Sequence, residues 1–351
     1  MIETPRIVVL TPVRNEAWIL ERFLQVTSRF ADRIILADQQ STDSSRAIAA
    51  RFPQVALLDN PESGFNEAGR QLLLLSAARR LVSGPKVLLA LDADEIMAAD
   101  APATLDWRRM LAAPPGTVLG FERIDLLKDE ATVMRHGLWT PLGYVDDGAE
   151  HRPLLIHSTR IPAASDAPVL VLPGIKVLHY ALVRPGAVAA KSRWYSVLEN
   201  CLRTCPNPLK RRARYFDMMD FAGTARTEPI DQRWLAGWEQ AGIRMRGDSE
   251  PGFYWYDDEV LRLMGEYGEA RFWWDDIWDV DWEQLRRGAV ARGVSGLPEQ
   301  PIRGPSARLR GMLRLIDPAY RAQRAWRARI TPRHVHERRR RRLPDTAPSH
   351  D

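Results

Sequence analysis

Cysteine is nearly missing from this chain. Among 351 residues there are two, Cys201 and Cys205. That excludes a disulfide framework and any four-cysteine zinc site. It makes a reducing, cytoplasmic setting the default expectation. The two lie about one helical turn apart and read as a structural pair of small apolar residues. Long apolar runs are also missing. None reaches the roughly 18–20 residues of a spanning helix, which excludes a polytopic membrane protein. The opening MIETPRIVVLTPVRNE has a short apolar stretch, then charges and no small-residue cleavage pattern, so no secretory signal is expected.

The first 300 residues lack a net positive charge. The net charge is +5, but residues 301–351 hold fourteen Arg and no Lys against four acids, which makes that segment +10 and the remainder −5. The basic character belongs to the tail, which argues against nucleic-acid binding by the protein as a whole. What is present is ordinary: 45% hydrophobic and 27% charged residues, a globular composition with a sizeable core. The length allows one large domain or two smaller ones.

Residues 6–10 (RIVVL), 33–37 (RIILA), 55–58 (VALL) and 86–91 (KVLLAL) read as buried strands. Helical spacing fills 16–30, 42–52 and 66–81 between them. Strands alternating with helices imply a parallel sheet covered on its faces. In such sheets ligands sit beyond the carboxyl ends of the strands. Shorter β-like pieces at 117–123, 154–157, 169–172 and 176–180 fit an antiparallel extension. A helical pattern resumes near 186. The stretch 205–300 is polar and Trp-rich, and 307–330 is Arg-rich and helical with a break near Pro318. The run Arg338 to Arg342 and a Pro/Ser/His end follow.

Polar clusters follow the strands directly. Thr11-Pro12-Val13-Arg14-Asn15-Glu16 can present polar groups to a ligand, or Thr11 or Asn15 can cap the next helix with Glu16 in its first turn. Asp38 ends an apolar strand, where a carboxylate can accept from a nucleobase or ribose. Ser41 to Asp43 behind it suit a cap. Asp92-Ala93-Asp94-Glu95 follows KVLLAL; two carboxylates at i and i+2 can grip one hard divalent cation, or the acids form a solvated turn. Three acids there need something positive to compensate. Arg70, on the preceding helix, can reach a phosphate or sugar.

In this order TPVRNE (11–16), DQQSTDS (38–44), FNEAGRQ (65–71) and LDADE (91–95) resemble glycosyltransferase family 2. The nearest look is that of lipopolysaccharide-core-type transferases with a DADE motif. The resemblance covers about the first hundred residues, thins over 115–200 and stops there. It implies an α/β GT-A, Rossmann-like, mostly parallel sheet flanked by helices. It implies a nucleotide-sugar donor, Mn²⁺ or Mg²⁺, and transfer with inversion to a cell-surface glycan or lipid-linked acceptor. By position, Thr11, Pro12, Val13, Asn15, Glu16, Asp38, Ser41, Arg70 and Asp92 would bind the nucleotide sugar. Asp92 and Asp94, with His179 as the family's later histidine, would hold the metal. The general base would lie downstream, at Asp147 or Asp146 in LGYVDDGAEHR; an acidic turn is the other reading of Asp-Asp-Gly. Trp139-Thr140-Pro141 matches the relatives' Trp-x-Pro segment, but no His-Glu pair follows in the catalytic region. Lys191, Arg193 and Tyr195 would face diphosphate or acceptor.

Three segments are expected: a nucleotide-sugar transferase domain over 1–200, a helical extension over 201–300 and a basic tail over 301–351. Aromatics and acids over 253–282 either stack on sugars or pack the extension. The tail binds nucleic acid, sits on anionic lipid, or is solvated. The transferase resemblance and the negative body favour lipid, hence peripheral membrane contact, or nothing. Two other functions fit the class: a nucleotidyltransferase, which would want a glycine-rich phosphate loop that TPVRNE lacks, and a degenerate transferase domain used as a scaffold.

Overall fold

Apolar runs with no polar alternation suit strands buried on both faces. In a computed structural model of the chain they take that place. The structure describes residues 4–62, 64, 66–154, 158–162, 164, 166–216, 226–247, 251 and 253–330. The first unit comprises residues up to 183 together with 226–247. Its leading strands are β1 (Arg6–Val13), β2 (Arg33–Asp38), β3 (Val55–Asp59) and β4 (Lys86–Ala90). They pair in parallel in the order β3-β2-β1-β4. This is the order that opens a doubly wound sheet.

Successive side chains on a strand point to opposite faces. Ile7 and Val9 pack with Phe23 and Leu24 of α1 (Ala17–Thr27). Val8 and Leu10 pack with Leu74 and Ala78 of α3 (Glu67–Leu81) on the other side. The parallel half is thus covered on both faces. A short helix, α2 (Ser45–Ala49), follows β2.

Beyond β4 the sheet becomes mixed. β5 is Glu95–Met97, β6 is Val118–Leu126, β7 is Thr132–Val145 and β8 is Val169–His179; α4 (Leu105–Leu111) precedes β6. β7 runs antiparallel to β4 and β6, and β8 runs parallel to β6 and antiparallel to β5. Trp139 of the Trp-x-Pro segment lies on β7 over Gly120, where an added Cβ would fall 2.5 Å from the indole ring. The α/β class is as expected, but the extension is mixed rather than antiparallel throughout, since β6 and β8 pair in parallel; of the piece expected at 154–157, residues 155–157 lie outside the described residues.

The expected boundaries at 200 and 300 are not those of the compact units. β9 (Arg226–Pro229) pairs with β7, and α7 (Arg233–Gln240) follows it in the same unit. Trp234, Leu235 and Trp238 are buried there, and the Trp238 indole donates to the Met97 carbonyl at 2.8 Å. The burial of two tryptophans outweighs their distance along the chain.

The second unit comprises 184–216, 251 and 253–330. It is helical: α5 (Pro185–Cys201), α6 (Pro208–Phe216), α8 (Trp255–Tyr267), α9 (Trp282–Ala291) and α10 (Ala307–Ile330). Its acids are spent on arginines. Arg193 bonds Asp257 at 3.0 Å and Asp279 at 2.9 Å, and Arg211 bonds Asp275 at 2.7 Å. Arg193, expected to face diphosphate or acceptor, is thus bonded to acids of its own unit. Trp282 and Phe272 are buried, which favours packing over sugar stacking for this part of the Trp-rich stretch. Cys201 and Cys205 are free, and burial pushes the Cys201 thiol up to about 11. Helix α10 continues through Pro318 rather than breaking there; the missing N–H costs one backbone hydrogen bond. The run Arg338 to Arg342, and with it the membrane-contact expectation, lies outside the described residues. Among the described residues no helix is long and apolar enough to cross a membrane.

Candidate functional site

The carboxyl ends of β1, β2 and β4 lie side by side, with Val13 opposite Asp38 and Leu10 opposite Ala90. β1 extends to Val13, so Thr11, Pro12 and Val13 belong to the strand rather than to a loop. Asn15 follows with φ 57°, a left-handed conformation that Asn tolerates. Its side-chain oxygen accepts from Thr42 N at 2.7 Å, and its own N–H donates to Ser41 Oγ at 2.9 Å. Glu16 N donates to Ser45 Oγ at 2.9 Å and Ala17 N to Asp43 at 3.0 Å. The cap residues of the second loop therefore close the start of α1. Asn15, Glu16 and Ser41 hold the two strand-end loops together.

Buried polar atoms are normally hydrogen-bonded. At this edge four have no partner among the described residues: Thr11 Oγ1, Asp38 Oδ1, Asn60 Nδ2 and Arg70 Nε. Asp38 is 1% exposed. Its other oxygen takes Arg46 at 2.9 Å and Ser41 N at 3.2 Å. Asn60 follows β3, and its N–H donates to the Asp38 carbonyl at 2.9 Å. Pro12, Arg70, Gln71 and Asp92 line one pocket together with Arg160, which sequence reasoning did not single out. Asn66 and Gly69 of the FNEAGRQ segment serve the helix: Asn66 caps α3 by accepting from Gly69 N at 2.8 Å.

The acids of LDADE separate into different environments. Glu95 is fully buried and accepts from Asp92 N at 3.0 Å. Arg160 donates to Asp92 at 2.7 Å and to Glu95 at 2.5 Å. Burial opposes the Arg160 charge, but Asp92 and Glu95 outweigh it and hold the guanidinium protonated. Arg123 adds a second cation 3.6 Å from Glu95. The compensation that three adjacent acids demand is thus built in.

Strand β8 pairs with β5 so that His179 lies opposite Glu95. His179 Nε2 comes 3.6 Å from Asp94 Oδ2, while Nδ1 is 2.5 Å from Asp125 Oδ1. Asp125, on β6, also takes His136 Nε2 at 2.7 Å. Burial pushes the Asp125 carboxyl up, but the hydrogen bonds from His136 and His179 prevail and hold it well below the usual carboxylate range. An ionised carboxylate only accepts, so Nδ1 of His179 donates to Asp125, and Nε2 is the ring nitrogen that faces Asp94. Asp125 lacked the signal of Asp38, since it lies in a strand that also carries Glu122 and Arg123 rather than at the end of an apolar run. His136, Arg123 and Arg160 had none.

Among the described residues no three metal-binding side chains converge. Mg²⁺ and similar ions are commonly held by one or two carboxylates, with substrate phosphates and water completing the shell. Asp94 and His179, with the tautomer of the latter fixed, suit an ion completed by a diphosphate. Asp92 is bound to Arg160.

Asp146 and Asp147 are placed elsewhere. Asp146 N bonds the Lys86 carbonyl at 3.0 Å, at the amino end of β4. That is on the order of 15 Å from the carboxyl edge at 3.2–3.4 Å per strand residue. Asp146 bonds Arg79 at 2.7 Å, and Asp147 accepts from Tyr144 at 2.6 Å and Ala149 N at 2.9 Å. Their expected role as general base fails on this geometry. They are a turn, as Asp-Asp-Gly chemistry allows.

No protein-family model matches the chain, and no curated protein matches it. Similar solved structures exist. HddC from Yersinia pseudotuberculosis is 10% identical over 50% of this chain and 93% of its own, with a TM-score of 0.32. A 4-diphosphocytidyl-2C-methyl-D-erythritol synthase is 21% identical over 41% of this chain and 76% of its own, with a TM-score of 0.28. Glucosyl-3-phosphoglycerate synthase from Mycobacterium tuberculosis, crystallised with Mn²⁺, UDP and glucosyl-3-phosphoglycerate, is 22% identical over 34% of this chain, with a TM-score of 0.25. This chain spans 44% of that synthase's length. All three scores lie below 0.5, so the likeness assigns no function.

Proposed function

We propose that this chain is a metal-dependent glycosyltransferase of the family 2 kind. It takes the sugar of a nucleotide-sugar donor and transfers it, with inversion, to a cell-surface glycan or lipid-linked acceptor. One observation carries the reading. Unpartnered buried polar atoms at the ends of β1 and β2 sit on the same sheet edge as the Asp94–His179 pair. A base and ribose need the first set, and a diphosphate with its cation needs the second.

Asp38 and Thr11 would take the base, with Arg70 and Asp92 toward ribose and sugar. Asp94 and His179 would hold Mn²⁺ or Mg²⁺, which as a Lewis acid offsets charge on the leaving diphosphate. The chain's own residues bind and orient the donor so that an acceptor hydroxyl meets the anomeric carbon in line. The Asp146–Asp147 turn has no part in this step.

The test is thermal unfolding with UDP-, GDP-, CMP- and dTDP-sugars, each with and without Mn²⁺. A ligand that binds only the folded state raises the melting temperature by mass action. A metal-dependent rise with one nucleotide class is expected. Folded protein that responds to none of them would leave the scaffold reading in its place.

A further inference from the structure

The acidic edge carries its own cation. Arg160 spans Asp92 and Glu95 at 2.7 and 2.5 Å, and its two carboxylates differ. The Glu95 side chain is fully buried, so its bond to Arg160 is fixed by the cost of leaving a buried carboxylate unpaired. The Asp92 side chain is 34% exposed and that of Arg160 is 26% exposed, so this half of the bridge is open to exchange. Asp92 stands two residues from Asp94.

The geometry points to Arg160 as a positioning residue that competes with the divalent ion for this edge. The inference rests on the donor-and-metal reading above. In the free protein the guanidinium neutralises Asp92 and places a positive charge beside the position an incoming ion must take. A cation alone therefore binds weakly. A nucleoside diphosphate brings the negative charge that tips the balance, and the guanidinium fork is itself a good phosphate partner. Arg160 thereby makes metal binding depend on the donor.

The experiment is calorimetric titration of Mn²⁺ into the full chain, alone and with saturating UDP or GDP. It compares wild type, Arg160→Gln, Arg160→Lys and the double variant Asp92→Asn/Arg160→Gln, each checked by thermal melting. Arg160→Lys keeps a charge for Glu95 should the glutamine variant fail to fold. Without nucleotide, Arg160→Gln is expected to bind Mn²⁺ about tenfold tighter than wild type, the effect of removing one nearby charge in a partly buried site. Arg160→Lys falls between them. The gain disappears in the double variant, because it acts through Asp92. A merely structural arginine predicts the opposite sign, weaker binding. Folded variants that bind Mn²⁺ no tighter than wild type overturn the inference and leave the donor reading standing. No Mn²⁺ binding by any protein, with or without nucleotide, overturns both.

Discussion

Asp125 stands directly behind His179, with 2.5 Å between its Oδ1 and the ring Nδ1. A carboxylate behind an imidazole fixes the tautomer and raises the basicity of the opposite nitrogen, and losing it typically costs about 10–100-fold in metal affinity. Asp125→Asn is expected to weaken Mn²⁺ binding in the presence of nucleoside diphosphate within that range. Nucleotide affinity measured in EDTA should not change. Calorimetry gives both numbers. Equal Mn²⁺ affinity in the two proteins would reduce Asp125 to a support for β6.

Asp38 separates binding from stability. One oxygen holds Arg46, whose side chain is 44% exposed, and the cost of desolvating the buried carboxylate offsets what that pair contributes to folding. The other is buried and without a partner among the described residues. Hydrogen bonds to charged groups are worth about 1.5–3 kcal/mol, or about 10–150-fold in affinity. Asp38→Ala is expected to lose that much nucleotide binding while melting close to wild type. A large fall in melting temperature with nucleotide affinity retained would show that Asp38 serves the loop alone.

The parallel half was legible because its strands are buried on both faces, so RIVVL, RIILA and KVLLAL stand out as unbroken apolar runs. Strand β7 was not. Gly137 and Pro141 interrupt it, and it is held by pairing with β4, β6 and β9, not by a local pattern. β9, RTEP, has no strand signal; tertiary pairing alone makes it one. In the site, acids that end apolar strands declared themselves, as Asp38, Asp92 and Asp94 did. Arg160 could not. Its partner Asp92 is 68 residues away, and an arginine in a polar segment looks the same with or without that contact. The Asp146–Asp147 error has the same root: position along the chain does not tell which end of β4 a returning strand reaches.

That correction makes a paired prediction. Among the described residues Asp147 accepts from Tyr144 and its own turn, and Asp147→Asn is expected to leave donor turnover within about twofold, since a surface turn change seldom exceeds about 0.5 kcal/mol. Asp146 is different: its side chain is 3% exposed and holds Arg79 and Lys86. Removing one partner of a buried pair leaves uncompensated charge. With Arg79 26% exposed, Asp146→Ala should cost about 1–3 kcal/mol of folding stability in urea, in the usual range for a broken partly buried network. The turnover of the folded fraction should stay the same. A selective loss of turnover in Asp147→Asn, with the fold intact, would restore it as the base.

His151 links the same region to pH. It is 8% exposed, and Nε2 lies 2.8 Å from Gln71 Oε1, whose amide in turn donates to Glu67 at 3.0 Å. Burial, then the nearby Arg79 charge, lowers the His151 pKa from the ordinary 6.5. The unfolded chain therefore takes up a proton first as the pH falls, while the folded protein resists it. Stability is fully present above about pH 6.5 and is lost as pH falls from there toward the depressed folded value. His151→Asn keeps a donor toward Gln71 but cannot titrate. Wild type should be the more stable at about pH 7.5, by about 1 kcal/mol for the better hydrogen bond. That advantage should shrink or reverse by about pH 5.5, as the unfolded-state proton uptake takes hold. Urea unfolding of both proteins across this range measures it. A gap that stays constant with pH would mean that His151 is protonated equally in both states and that its burial is not felt.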